Sequence, residues 1–255
     1  MTKKIDVHVH IGNDAYSQYT DEEALRLMDK MGIEYAVISP VPSYPLPYGI
    51  KSSMGQNENI ASALHHHPDR FVRGLGVVDP RHGKAAVPEV DRIFKELGLH
   101  GLMFSCDHTG ITMDNPTMVE FMAHAATYPN PVVLSYTSQY SVLEAPYMLR
   151  KLAEQFPQIS FINGSSMKDT THSNCSRYLS ASVKNVYMDV ANIHQLMHPV
   201  EWAIRDSGVD KILFGTNIPF CEFSSEIRMI EAADITAEDR EMIYWKNAAR
   251  IFQLS

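Results

Sequence analysis

Two histidines two residues apart open the chemistry of this chain. The segment Lys4-Ile5-Asp6-Val7-His8-Val9-His10 reads as a strand. Side chains alternate across a strand with period 2, so Asp6, His8 and His10 share one face and Ile5, Val7 and Val9 the other. Two imidazoles so spaced can converge on one metal ion. Asp6, one step deeper, is placed to orient a ligating histidine from behind. A solvated edge strand is the plainer reading of the same residues. The long β/α pattern downstream brings the metal reading level with it.

The elements that must position this pair can be read from periodicity. Thr20-Asp21-Glu22-Glu23 reads as a capping box before a helix with Ala24, Leu25, Leu27, Met28 and Met31 on its apolar side, and Gly32 as its stop. Tyr35–Ser39 reads as a buried strand. Residues 40–55 carry Pro40, Pro42, Pro45 and Pro47 and read as a long, stiff loop, the kind that more often serves function. Further strands are expected over 71–78, 99–105, 131–135, 159–163, 186–190 and 211–215. The helices expected between them cover 57–67, 85–97, 116–128, 141–156, 171–182 and 199–207. Two more, over 224–233 and 237–252, close the chain.

Eight short apolar strands alternating with helices predict a parallel sheet buried on both faces. In 255 residues that pattern fits a TIM-type (β/α)8 barrel, one domain spanning 1–255. A doubly wound open sheet is the alternative, but no Gly-rich dinucleotide turn comes after any strand. In a barrel the site lies at the C-terminal ends of the strands. Standing there are His8, His10, Ser39, Asp79, Ser105, Cys106, Asp107, His108, Ser135, Asn163, Asp189, Asn192 and Asn217.

Composition narrows the class. Apolar residues make up 45% and charged residues 20%, as in ordinary globular proteins. The net charge of −8, without a Lys/Arg run, argues against nucleic acid and anionic membrane as partners. No apolar signal core comes after Met-Thr-Lys-Lys, and no run is long enough to span a bilayer. Cys106, Cys175 and Cys221 are scattered and odd in number, which points to a reducing, cytoplasmic setting.

Six segments resemble one known family. IDVHVHIG (5–12), RFVRGLGVVDP (70–80), GLHGLMF (98–104), NVYMDVA (185–191), KILFGTNIPF (211–220) and KNAARIF (246–252) occur in the order and spacing of the amidohydrolase-related family. That is the branch of the amidohydrolase superfamily that includes aminocarboxymuconate semialdehyde decarboxylase. The resemblance implies the barrel, and a hydrolase or decarboxylase acting on a small organic acid or cyclic ester. It also implies one divalent metal, held by the two strand-1 histidines, a His ending strand 5 and an Asp ending strand 8, with a catalytic His ending strand 6.

This chain departs from that set. Ser135, Asn163 and Asn217 stand where the resemblance expects His, His and Asp, and only His8 and His10 match. Catalytic zinc sites usually have three protein ligands and an open water position, so zinc binding is expected to be weak. Asn217 is neutral and cannot take a proton from a metal-bound water. The expected catalytic set is His8, His10, Asn163 and Asn217. Ser135, Asp107, His108 and Tyr44 are expected to meet substrate, with Tyr44 and Tyr48 on a loop covering the pocket or meeting a second subunit. Asp107 and His108 are the first candidates to refill the site, ahead of His172, His194 and His198. The run His65-His66-His67 reads as a cation cluster at a helix C-terminus, away from the mouth. His82, His100 and His124 read as structural, and Cys106 lacks an evident partner base. The alternative to a metal-assisted enzyme is a metal-free or catalytically silent small-molecule-binding homologue.

Overall fold

The computed structural model describes residues 2–13, 18–43, 49–137, 143–193, 197–220 and 224–254. Its core is a barrel of eight parallel strands, in chain order: β1 (Ile5–Asn13), β3 (Tyr35–Pro40), β4 (Phe71–Gly76), β5 (Gly101–Ser105), β6 (Val132–Tyr136), β7 (Ser160–Asn163), β8 (Val186–Asp189) and β9 (Ile212–Leu213). The two-residue β2 (Gln18–Tyr19) turns back antiparallel on the end of β1. Past β9 the chain returns to the first strand. The Val7 amide donates to Phe214 O at 3.0 Å and the His10 amide to Ile218 O at 2.8 Å, which closes the sheet. The architecture is the expected α/β barrel.

The strands alternate as parallel buried strands must. Val37, Leu75, Met103, Leu134, Ile162, Tyr187 and Leu213, one from each of β3 to β9, pack with Ile5 and Val7 of β1 inside the barrel. Ala248, Ile251 and Phe252 belong to the same cluster. Their odd or even neighbours, such as Ile38, Phe104, Val133, Phe161 and Phe214, pack outward with the helix layer. Each fully buried aliphatic side chain contributes about 1.5–3 kcal/mol. Gly101 has no alternative at its position, because a Cβ there would lie 1.9 Å from Val132 O.

β1 breaks the alternation. Its pairing with β3 shifts register between Asp6 and Val9. Ile5 and Val7 sit inside the barrel, whereas Val9 and Ile11 join the outer cluster. One extra residue in a strand turns every later side chain to the other face. The histidines therefore face the mouth while Asp6 faces the helix layer, so Asp6 does not share their face as simple alternation predicts.

Two helices differ from expectation. The one expected from Asn57 begins at Ile50 and runs to His66, taking in part of the expected loop. Packing decides this over propensity. Buried Asn57 accepts from Val77 N (2.7 Å) and donates to Val77 O (2.9 Å), acting as a strand neighbour at the end of β4. Of the helix expected over 141–156, the described residues form only Arg150–Gln155, after a 3-10 turn opened by Pro146, where a longer helix would lose a backbone bond. At Thr20 only half of the capping box forms: its Oγ1 accepts from Glu23 N at 3.1 Å, while Glu23 turns to Arg26. Among the described residues no helix is long and apolar enough to cross a membrane.

Candidate active site at the barrel mouth

The His8 and His10 rings meet edge to face, with centroids 4.9 Å apart, and both residues are fully buried. Each ring is fixed from behind through Nδ1. His8 Nδ1 donates to Asp189 Oδ2 at 2.6 Å. His10 Nδ1 lies 3.1 Å from Pro40 O and 2.8 Å from Ser39 Oγ. A carbonyl can only accept, so the proton of His10 belongs on Nδ1. In both rings Nε2 is the nitrogen not engaged from behind, and both Nε2 atoms are buried without a hydrogen-bond partner among the described residues.

Asp189 is itself held. Its Oδ1 accepts from the amides of Ser165 (2.7 Å) and Ala191 (3.1 Å), which fixes the carboxylate and ties the β7 and β8 ends together. Gly164 and Gly215 make room for the ring. A Cβ at Gly164 would lie 3.0 Å from His8 Cε1, and one at Gly215 3.0 Å from His8 Cβ. Asp6, by contrast, never reaches an imidazole. It accepts from the His8 amide (2.9 Å) and from the amide and hydroxyl of Thr216. Burial raises the Asp6 carboxyl to about 6.

A neutral network completes the rim on the β9 side. Ser165, Asn192 and Asn217, at the ends of β7, β8 and β9, all adopt positive φ (53°, 58° and 58°). Such left-handed non-glycine positions are costly and gather at functional sites. Asn217 Nδ2 donates to Asn192 Oδ1 at 3.3 Å, and Asn192 Nδ2 to Ser165 Oγ at 2.7 Å. Beneath them Glu226, fully buried, accepts from the Asn192 amide at 3.1 Å. Burial pushes its carboxyl up to about 8. His10 is pulled well below the usual histidine range by burial first and then by neighbouring His8. The Pro40 carbonyl and the nearby Asn217 amide oppose that shift without reversing it.

Aromatic rings line the rest. Tyr136 lies 5.6 Å from His8 and 5.3 Å from His10, Phe220 lies 5.7 Å from His10, and Tyr19 packs on Phe220 at 5.4 Å. On the β5 side His108 Nδ1 meets Ser105 Oγ at 2.7 Å, and its ring lies 6.5 Å from Tyr136. His108 also borders a recess of about 60 Å³ between the ends of β3 to β5 and the Ile50–His66 helix.

The structure gathers His8, His10, Asn217 and His108 and leaves other expected residues outside. Ser135 pairs in register with outward Phe104 and with Asn163, so both polar residues face the helix layer. The Asn163 amide donates to Ser176 Oγ at 2.5 Å on the Thr170–Ser182 helix. The positions that face the mouth are one residue later, Tyr136 and Gly164. Asp107 lies beyond β5, its amide donating to Glu144. His172 faces Asp169 at 2.8 Å, and His198 pairs with Glu201 at 3.2 Å on the outside. Cys106 is buried, and burial raises its thiol. Tyr44, Tyr48, His194 and Cys221 lie outside the described residues. Asp189, Ser39, Tyr136 and Gly164 received no role from the sequence. The signal that finds them is the inward alternation of β3, β6, β7 and β8.

A family profile described as amidohydrolase matches residues 5–254. The chain belongs to the amidohydrolase family. It is similar to the gamma-resorcylate decarboxylase of Polaromonas sp. (strain JS666 / ATCC BAA-500), at 24% identity over 92% of this chain and 87% of that protein. In fold it matches the 2,6-dihydroxybenzoate decarboxylase from Rhizobium, with a TM-score of 0.76, 18% identity, and coverage of 100% and 99% of the two chains. It also matches a dihydroxybenzoic acid decarboxylase from Polaromonas sp. JS666 that carries manganese and the inhibitor 2-nitroresorcinol, with a TM-score of 0.73, 18% identity, and coverage of 100% and 98%.

The manganese in that relative raises the question of fit. Here the two orphaned Nε2 atoms could approach an ion. Around them the mouth-facing positions of β6, β7 and β9 are Tyr136, Gly164 and Asn217. Among the described residues no group of three His, Cys, Asp or Glu side chains converges. Two imidazoles and a neutral amide fall short of the three-ligand set and negative charge that a tightly held catalytic ion needs. The described residues do not fit a resident divalent metal.

Proposed function

We propose that this chain is a carboxy-lyase for a small hydroxylated aryl acid, working at the mouth around His8 and His10. The observation that carries this reading is the pair of imidazoles with Nε2 lone pairs turned into an aromatic-lined mouth. Tyr136 and Phe220 offer ring faces to a planar acid, and such pairings contribute about 0.5–1.5 kcal/mol beyond the area they bury. His10, held neutral, accepts a hydrogen bond from a substrate hydroxyl. Asn217 and His108 flank the ring and orient it. The family assignment and the decarboxylase relatives support the reaction class. The partner is a small molecule; nucleic acid and membrane are not, and the protein works in the cytoplasm.

The neutral Asn217 favours a second reading, a binding homologue without turnover. One assay separates the two. Purified protein is given a panel of mono- and dihydroxybenzoates, and carbon dioxide release and ligand binding are both measured. Release by wild type and not by His10→Gln supports the enzyme. Saturable binding without release supports the silent homologue, and neither binding nor release refutes both readings.

A further inference from the structure

The two histidines are built differently, and the difference assigns them different work. His8 alone has a carboxylate behind it, Asp189 Oδ2 at 2.6 Å, with both residues fully buried. That carboxylate cannot swing away, because two backbone amides hold its other oxygen. His10 has only a hydroxyl and a carbonyl behind it. An imidazole that takes up a proton in a buried site needs a compensating negative charge, and only His8 has one. Gly164 and Gly215 let His8 pack tightly against the backbone after β7 and β9, where a Cβ would crowd it at 3.0 Å. The positions facing it from β6, β7 and β9 are Tyr136, Gly164 and Asn217, none of them a carboxylate.

We propose that His8, with its tautomer fixed by Asp189, handles the proton of this site directly, in the role that a metal-bound group would otherwise fill. This inference rests on the carboxy-lyase reading for its substrate but not for its geometry. In that reaction His8 Nε2 takes the proton of a ring hydroxyl. The O–H bond breaks, its electron pair stays on oxygen, and Asp189 offsets the imidazolium charge. The proton then passes to the ring carbon that bears the carboxylate. The C–C bond breaks, its electrons return to the ring, and carbon dioxide leaves with the product as a phenolate. Asp189 is a positioning residue, since it acts only through His8.

The test reads the histidine directly and needs no substrate. Nitrogen-15 NMR of histidine-labelled protein, dialysed against a chelator, is expected to show His8 protonated on Nδ1 and bare on Nε2. One equivalent of Zn²⁺ is expected to leave that Nε2 resonance in place. Asp189→Asn is expected to shift His8 toward the Nε2–H tautomer while His10 stays unchanged, a response that a purely structural role does not produce. Wild-type His8 protonated on Nε2, or unaltered by Asp189→Asn, overturns the assignment. So does stoichiometric zinc moving both Nε2 resonances together. If Asp189→Asn does not fold, the wild-type tautomer and zinc titration decide alone. Absence of turnover of every aryl acid refutes the carboxy-lyase reading and leaves these NMR outcomes to judge His8 and Asp189 independently. Where turnover is found, Asp189→Asn is expected to lower kcat at least 100-fold with KM nearly unchanged.

Discussion

Rebuilding a metal site in this mouth requires the right face of β6. The imidazole belongs at Tyr136, whose ring lies 5.6 Å and 5.3 Å from His8 and His10, and the carboxylate at Asn217. Reading Ser135 as the lost ligand would instead place a histidine on the outer face, beside Phe104. At an effective dielectric near 20, two unit charges about 4 Å apart gain about 4 kcal/mol. Desolvation of the carboxylate and the ion offsets most of that gain. If about a third survives, Asn217→Asp adds about 1.4 kcal/mol, or tenfold in zinc affinity. A third imidazole adds a similar amount, so Tyr136→His with Asn217→Asp is expected to bind zinc about 100-fold more tightly, about 2.7 kcal/mol. Ser135→His with Asn217→Asp should bind no better than Asn217→Asp alone. Competition against a chromophoric zinc chelator measures all four proteins, with circular dichroism confirming the fold. Equal affinities throughout would show that the mouth is not a depleted metal site. A gain through Ser135→His and none through Tyr136→His would show that the β6 register is wrong.

Three further outcomes can be measured. Asp189→Ala leaves the His8 ring nitrogen and two amides without their carboxylate, and is expected to cost about 3–5 kcal/mol in urea unfolding. Glu226 is raised from 4.5 to about 8, so its neutral form favours the fold: stability is full below pH 4.5 and is lost as pH rises toward 8. The fall should approach about 1.4 kcal/mol per pH unit between pH 6 and 8 and be steeper below pH 6, where Asp6 also ionises, and Glu226→Gln should flatten the part above pH 6. Gly164→Ala places a Cβ 3.0 Å from His8 Cε1 and 3.0 Å from Ser135 O. It is expected to cost about 1–3 kcal/mol and to shift the His8 NMR signals, while an unmoved His8 would contradict the packing.

The barrel was legible because parallel strands covered on both faces read as short apolar runs between helices. The histidine pair was legible because its spacing lies within one strand. What failed is the assignment of faces near strand ends. Ser135-Tyr136 and Asn163-Gly164 each offer two adjacent residues that could face the mouth. In strands of five and four residues a one-position choice reverses the answer. Register with Phe104 decides it, and that register is a tertiary fact. The bulge in β1 carries no sequence mark either, and it moved Asp6 off the histidine face. The Asp189 carboxylate was visible as a strand-end residue, but its partner stands 181 positions away. Nothing local links the two.

A hydroxylated aryl acid that loses its carboxylate at His8 and His10 must take up a proton from this site at the same ring carbon. The most direct measurement is proton NMR of 2,6-dihydroxybenzoate incubated with chelator-treated protein in heavy water. Wild type is expected to form a decarboxylated product carrying deuterium at the carbon that held the carboxylate, and His8→Gln to form none. No product from wild type would refute the carboxy-lyase reading, and equal product from His8→Gln would contradict a proton handled by His8 without a metal.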